Sequence, residues 1–317
     1  MRHLTATLCL TLAVLLGSAG MGWGADFQKG LDAVQRGDYT TALREWKPLA
    51  EQGVAFAQYN LGVMYANGQG VPQNYKTAVK WYRLAAEQGL ALAQINLGLM
   101  YREGHGVHQN YKTVMKWFRL AAEQGNAKAQ NSLGFMYDNG QGVPQNYKTA
   151  VKWYRLAAKQ GDADAQFNLG VMYRKGLGVP QNFKTAFKWR KLAAEQGDAD
   201  AQFHIGLMYK HGKGVPQGDK AALEWLTRAA EQGHDYAQFY LGLMSARGLE
   251  TRLDDTTDLL KLPNLPLAHM WWNVSASQGN EKAREFRDRV EEYMSPSQIE
   301  KAHDLALECV NSGYKGC

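Results

Sequence analysis

The sequence lacks the motifs of the common catalytic sites. No serine stands in the G-x-S-x-G context of a hydrolase, and the repeated G-x-G stretches are not followed by the G-K-[ST] of a phosphate-binding loop. His105 and His108 lie three residues apart, but no acidic or cysteine partner is near them in sequence. The residues therefore predict no catalytic site, no cofactor and no metal site.

Long apolar runs are also scarce. The only one spans residues 4–16, which is shorter than the ~20 apolar residues of a membrane-crossing helix. It follows Arg2 and precedes small residues up to Gly24, a pattern typical of a secretory signal peptide. We expect a signal peptide over residues 1–24, with cleavage after Gly20 as the other option and an uncleaved anchor as the alternative. A cleaved signal peptide implies a periplasmic or secreted protein.

Charge of one sign is not strongly in excess. The formal net charge is +6, and removal of residues 1–24 takes away one basic residue and no acidic one, leaving about +5. Lysine and arginine recur at regular helical positions and not in a block, which favours solvated helix faces over nucleic-acid binding. We expect no nucleic-acid partner.

Cysteine is nearly absent. Apart from Cys9 in the apolar run, only Cys309 and Cys317 are present, both at the C-terminal end. In an oxidising compartment such a pair can close a small loop as a disulfide, and the alternative is two free thiols.

What the sequence does contain is repetition. The stretch GQGVPQNYKTAVKWYRLAA occupies residues 68–86 and again 140–158, and a looser copy begins at Gly104. Glycines recur every 36 residues, at Gly62, Gly98, Gly134, Gly170, Gly206 and Gly242, and tryptophans keep the same step from Trp81 to Trp225. Such a period predicts an α-solenoid built from stacked repeats.

Each repeat reads as two helices joined by a turn. Gly68 suits the left-handed cap that ends the first helix, and Asn74 suits the N-cap of the second, which should run from Tyr75 to about Gln88. Small residues should let the helices approach closely, and aromatic residues should fill the remaining space. We expect the buried positions to include Gly62, Tyr65, Ala78, Trp81, Ala85 and in some repeats Leu84.

The repeats divide the chain into predicted segments. After the signal peptide, we expect a solenoid over residues 25–279, with Trp46 of the first hairpin in the position of the repeated tryptophans, and a C-terminal helical cap over residues 280–317. The predicted repeats are residues 25–53, 54–89, 90–125, 126–161, 162–197, 198–233 and 234–279, with an insertion at residues 247–266. That insertion should hold a short helical piece around residues 255–262.

The repeat AQYNLGVMYANGQGVPQNYKTAVKWYRLAAEQG closely resembles the Sel1-like repeat, a relative of the tetratricopeptide repeat. The resemblance covers about residues 27–279. It implies an all-α, right-handed α/α superhelix of 36-residue helical hairpins and a role as a scaffold or adaptor. Weak β-lactam binding or hydrolysis is attributed to a cysteine-rich exported subgroup, from which this chain departs because its repeats contain no cysteine.

The resemblance also implies a binding surface on the concave side, lined by the first helix of each repeat. Positions on these helices vary between repeats while the packing positions hardly change. Aromatic residues suit apolar anchors, basic residues suit a negative group, and asparagines suit a peptide backbone; the alternative is that the aromatic residues pack on the neighbouring hairpin. The predicted surface contains Tyr59, Asn60, Asn96, Arg102, Phe135, Phe167, Asn168, Arg174, Phe203, Lys210, Phe239 and Tyr240.

These expectations define a non-enzymatic, exported scaffold that binds a peptide or a partner protein along the concave face of the repeats. A weak envelope hydrolase or β-lactam-binding protein is one alternative, and a purely structural spacer is the other.

Overall fold

The computed structural model describes residues 21–247 and 264–317, and in these ranges all the regular structure is helical. None of the described helices is long and apolar enough to cross a membrane. The helices are α1 Met21–Gln35, α2 Tyr39–Glu51, α3 Ala55–Asn67, α4 Tyr75–Glu87, α5 Ala91–Glu103, α6 Tyr111–Glu123, α7 Ala127–Asn139, α8 Tyr147–Lys159, α9 Ala163–Lys175, α10 Phe183–Glu195, α11 Ala199–His211, α12 Asp219–Ala230, α13 Asp235–Arg247, α14 Leu265–Ser277, α15 Glu281–Glu291 and α16 Pro296–Asn311. The predicted all-α class with repeated helical hairpins is confirmed.

The chain divides into two compact units, Met1–Ala129 and Gln130–Cys317. In each unit, the two helices of a hairpin pack together and the second also packs on the first helix of the next hairpin, as α3, α4 and α5 do in the first unit and α8, α9 and α10 in the second. Each apolar stripe is thereby buried by its neighbour, which is the physical reason for the repetition. Below, α3, α5, α7, α9, α11 and α13 are called the first helices, and each helix that follows one of them is its second helix.

The predicted helix ends are correct. Gly68 follows α3 with φ +70° and ψ +33°, in the left-handed region that glycine enters without steric cost. Asn74 caps α4 by accepting a hydrogen bond from the Thr77 backbone N–H at 3.0 Å. The same asparagine cap recurs at Asn110, Asn146 and Asn182.

The second glycine of the G-x-G turn has a separate role. At Gly106, which has φ +71°, an added Cβ would lie 2.5 Å from the carbonyl carbon of Tyr75, at the start of the preceding second helix. Gly178 lies in the same way against Tyr147 in the second unit. The turn therefore packs directly on the neighbouring hairpin, and only a residue without a Cβ fits there.

Glutamine side chains form a regular ladder that the sequence pattern did not reveal. Gln94 is buried and donates to the carbonyl oxygen of Ala86 at 3.2 Å, while Gln124 donates to Gln94 Oε1 at 2.9 Å. In the second unit, Gln202 and Gln232 repeat this arrangement with Ala194. The ladder gives the buried amides hydrogen-bond partners, and it explains the glutamines of the A-x-A-Q and A-A-E-Q-G stretches.

One residue of each second helix faces the repeated glycine, as Trp46 of α2 faces Gly30 in the first hairpin, and we call this the glycine-facing position. Beside Gly62, an added Cβ would lie 2.5 Å from the Tyr82 ring. The residues at the glycine-facing position in successive hairpins are Trp46, Tyr82, Phe118, Tyr154, Arg190, Leu226 and Trp272. They are all buried, with at most 3% of their surface exposed.

This geometry corrects three predictions about packing. Tyr82, and not Trp81, fills the space beside the glycine, and Trp81 is only half-buried. Leu84 is 45% exposed and contributes little to the core. Trp46 occupies the glycine-facing position against Gly30, so its predicted alignment with the repeated tryptophans is wrong by one residue. For Trp81 and Tyr82 the cause is that adjacent helical positions differ by about 100°, and a bulky aromatic residue occupies both.

The C-terminal helices close the second unit. The predicted helical piece at residues 255–262 lies outside the described residues. Helix α14 packs on α13, and both α15 and α16 pack on α14. Cys309 and Cys317 form a disulfide, and Cys309 is buried in the core formed by α12, α13 and α14.

Removing this disulfide by Cys317→Ser should lower the free energy of unfolding of the second unit by about 2–3 kcal/mol, the loop-entropy value for a bridge of this size. Urea unfolding of the two proteins without reductant measures the difference. Adding reductant should abolish it, and equal midpoints before reduction would show that the bridge does not stabilise the unit.

Candidate partner-binding site

The structure divides the predicted surface into buried and accessible residues. Phe203 is only 9% exposed and packs with Leu226 and Leu241, while Phe239 is 7% exposed and packs with Leu243 and Trp272. These two residues belong to the core, so the prediction that they are surface anchors is wrong. The physical reason is the one considered above, that an aromatic residue at this position packs on the neighbouring hairpin.

The predicted asparagines are already engaged within the fold. Asn168 donates to Asn131 Oδ1 at 3.2 Å, which joins two neighbouring first helices of the second unit. The Asn96 side chain hydrogen-bonds to the buried Tyr82. Asn60 is half-buried. A peptide backbone would have to compete with these internal contacts at Asn96 and Asn168.

The remaining predicted residues keep some accessible surface. Phe135 is 48% exposed, and Arg102 is exposed and pairs with Glu103 at 2.7 Å. The half-buried members are Tyr59, Phe167, Arg174, Lys210 and Tyr240. Phe135 and Phe167 both lie on first helices of the second unit and are the phenylalanines of the predicted surface that keep accessible area.

The most unusual feature of the second unit is a buried positive charge at Arg190. Its side chain occupies the glycine-facing position opposite Gly170 and is only 1% exposed. Its guanidinium carbon lies 5.3 Å from the centre of the Phe167 ring. Its Nε and Nη2 atoms are buried without a hydrogen-bond partner, and so is Nε of Arg174. We call Arg174 and Arg190 the arginine pair.

In the preceding repeat, other residues occupy the two positions equivalent to the arginine pair. There the equivalent residues are Asp138 and Tyr154, and the Tyr154 hydroxyl donates to Asp138 Oδ2 at 3.4 Å. In the arginine pair both positions carry a cation. Burial, and to a lesser extent the charge of Arg174, lowers the pKa of Arg190 to about 10, so the side chain remains charged at neutral pH. Among the described residues, no carboxylate forms an ion pair with either arginine.

His204 adds a third titratable group beside the arginine pair. Its ring lies 5.6 Å from that of Phe167 and 5.2 Å from that of Phe203. Burial lowers its pKa to about 3, and the positive charges of Arg190, Arg174 and His234 act in the same direction. His234 itself lies 3.1 Å from the carboxylate of Asp200. At neutral pH, His204 is therefore an uncharged side chain in the wall of a positively charged site.

The low pKa of His204 predicts a loss of stability in acid. The unfolded chain binds a proton near the ordinary histidine pKa of about 6.5, whereas the folded protein binds it only near pH 3. His204 therefore contributes stability above the unfolded pKa, and that contribution is lost as the pH falls. Allowing for partial solvent exposure, the loss between neutral pH and about pH 4 should be about 1–2 kcal/mol larger than in His204→Asn. Urea unfolding at both pH values measures it, and identical losses in the two proteins would contradict the assignment.

Sequence reasoning missed Arg190 because it lies on a second helix, where only packing was expected. The available signal was the departure of one repeat from its neighbours: the glycine-facing position is otherwise aromatic or aliphatic, and here it carries a permanent charge. Arg174 was predicted from the first helices, and its positive charge acts on Arg190.

Repeated helical hairpins with capped turns and a conserved spacing of 36 residues define an α-solenoid repeat protein. The chain belongs to the Sel1 repeat family. The family model matches six consecutive ranges, residues 55–90, 91–126, 127–162, 163–198, 199–234 and 235–280. Proteins of this family are generally scaffolds that bind other proteins.

Two solved structures support this assignment. A protective antigen of uropathogenic Escherichia coli strains, which displays the SLR fold, is 36% identical, with a TM-score of 0.78 over 90% of this chain. This chain spans only 61% of that protein. A Sel1 repeat protein from Oxalobacter formigenes is 33% identical, with a TM-score of 0.68 over 79% of this chain and 96% of its own. No curated protein sequence matches this chain.

Proposed function

We propose that this protein is an exported scaffold that binds an extended, acidic segment of a partner protein on the first helices of its second unit. The observation that carries the proposal is the arginine pair. A buried guanidinium without acceptors is energetically costly, because the charge loses its hydration and arginine cannot discard its proton at neutral pH. A carboxylate from a partner would bind the half-buried Arg174, and the buried Arg190 would attract that carboxylate through its charge.

The chemistry of the site fits a carboxylate. A guanidinium presents its N–H groups in a planar fork that matches the two oxygens of a carboxylate. Phe167 lies against the Arg190 guanidinium, and the neutral His204 adds no charge of its own. Two cations and an aromatic wall thus favour an acidic residue flanked by an apolar one.

Apolar anchoring would come from Phe135 and Phe167, two accessible aromatic residues of the first helices. Tyr236, which is 52% exposed at the start of α13, offers a further aromatic contact in the same unit. Aromatic residues and arginine supply most of the binding energy at protein interfaces. The buried Phe203 contributes indirectly, because it packs 5.2 Å from His204 and holds the wall of the site in place.

The proposed location is the periplasm or the cell exterior. The N-terminal pattern of a signal peptide supports it, as does the disulfide of the C-terminal cap, since disulfides persist in oxidising compartments. The relative described as a protective antigen is consistent with an exported protein. N-terminal sequencing of the mature protein tests the location, and an intact Met1 on the purified chain would contradict cleavage.

Site-specific photocrosslinking in the producing cell tests the partner-binding role. A photoreactive phenylalanine replaces Phe135 or Phe167 on the first helices, and matched controls carry it at the exposed Leu156 or Leu192 of the second helices α8 and α10. We expect one dominant protein to be captured from the first helices and not from the controls. Capture from the second helices alone, or equally from both, would contradict the proposed face.

A further inference from the structure

The C-terminal cap brings together three potential metal ligands that are distant in sequence. His269 lies in α14, Glu291 is the last residue of α15, and His303 lies in α16. Their candidate ligand atoms all lie within 4.8 Å of one another. Sequence reasoning predicted no metal site, because it searched for ligands close together along the chain.

We propose that His269, Glu291 and His303 form a binding site for a divalent zinc-like cation. Two imidazoles and one carboxylate form a donor set typical of zinc sites that keep one coordination position open. Softer ions require thiolates and harder ions require mostly oxygen, and this cluster offers neither. The proposal is independent of the partner-binding site, which uses other helices.

The geometry of the cluster is close to that of a bound state. Nε2 of His269 lies 2.7 Å from Oε1 of Glu291. In a tetrahedral zinc site, with bonds of about 2.0–2.1 Å, neighbouring ligand atoms lie about 3.3 Å apart. A cation entering between these two atoms would displace the proton that they share, as metal binding to protonated ligands generally does. Nε2 of His269 and Oε1 of Glu291 would therefore have to move apart by only a fraction of an ångström to bind the cation.

The third ligand is free to complete the site. His303 is exposed, and its ring stacks on that of His269 at a centroid distance of 5.4 Å. A ring nitrogen of His303 already lies within 4.8 Å of the other two ligand atoms, so a rotation of this exposed side chain would bring it to coordination distance. His269 is fully buried, so the surrounding residues restrict the position of this ligand.

The positive charge of Arg287, which lies near the cluster, is paired with the carboxylate of Asp288. Arg287 lies 3.9 Å from Glu291, but its guanidinium donates to Asp288 at 2.6 and 2.8 Å. Glu291 therefore keeps its charge available for a cation. Binding would join α14, α15 and α16 at one point and so stabilise the cap.

Zinc titration of the tag-free, chelator-treated mature protein tests the proposal. Equilibrium competition with a zinc-binding dye should show one ion per chain for the wild type. In His303→Ala, the zinc affinity should fall at least tenfold, and circular dichroism should show an unchanged fold because this residue is exposed. Glu291→Gln, which keeps the shape of the side chain, should also weaken zinc binding.

His108→Ala is the matched control, since this exposed histidine belongs to the first unit and is not one of the three ligands, and its loss should leave the zinc affinity unchanged. The proposal is overturned if the wild type binds no stoichiometric zinc, or if His303→Ala binds zinc as tightly as the wild type.

Discussion

Replacing Trp272 by alanine is expected to lower the free energy of unfolding of the second unit by about 3–5 kcal/mol, the usual cost of removing a large buried aromatic residue. Trp272 is fully buried and packs against Gly242 at the glycine-facing position. Its indole N–H donates to the Phe239 carbonyl oxygen at 3.2 Å, and its ring lies 5.4 Å from that of Phe286. The change would therefore open a cavity between α13, α14 and α15.

Urea unfolding followed by circular dichroism measures this loss. Trp272→Phe separates the two contributions, because it keeps an aromatic ring, as Phe118 does in its own repeat, but removes the indole N–H that donates to the Phe239 carbonyl oxygen. It should cost about 1–2 kcal/mol. An unfolding midpoint unchanged in Trp272→Ala would refute the claim that this residue anchors the cap.

Replacing Arg190 by phenylalanine should have two effects of opposite sign. The free energy of unfolding should rise by about 1–3 kcal/mol, because a buried charge without a partner is replaced by an apolar residue. Affinity for the acidic partner should fall about 10–100-fold, because the carboxylate bound at Arg174 loses the attraction of a second nearby cation. Phe118 shows that phenylalanine fits this position, since it is 1% exposed against Gly98.

Lys188→Gln is the control for net charge. It removes one positive charge from an exposed position of the same helix, α10. Both the unfolding free energy and the affinity should remain within a few tenths of a kcal/mol of the wild type. If Arg190→Phe lowered stability, the guanidinium would have to be satisfied within the fold, and the argument for a ligand carboxylate would fail.

The prediction of the fold from sequence succeeded where local chemistry determines the structure. The asparagine caps and the left-handed glycines depend only on residues a few positions apart, and they could be located from the repeat itself. Choosing between Trp81 and Tyr82 as the glycine-facing residue was harder. Both are aromatic and adjacent, and only the rotation of one helix against the next decides which of them is buried.

The site was predicted less well, because burial depends on contacts between helices. Phe167 and Phe203 occupy equivalent positions, yet Phe203 packs into a core that includes Leu226, whereas Phe167 lies against the charged Arg190. The difference is set by the glycine-facing residue of each hairpin. The histidines and the glutamate of the cap lie on three separate helices, so no spacing in the sequence indicated that they meet.

The most direct test of the proposed function is photocrosslinking from Phe167, compared in cells producing the otherwise wild-type chain, Arg190→Phe or Lys188→Gln. We predict that the dominant crosslink is retained in Lys188→Gln and strongly reduced in Arg190→Phe, although the latter protein is at least as stable. An undiminished crosslink in correctly folded Arg190→Phe would contradict the claim that the arginine pair binds the partner.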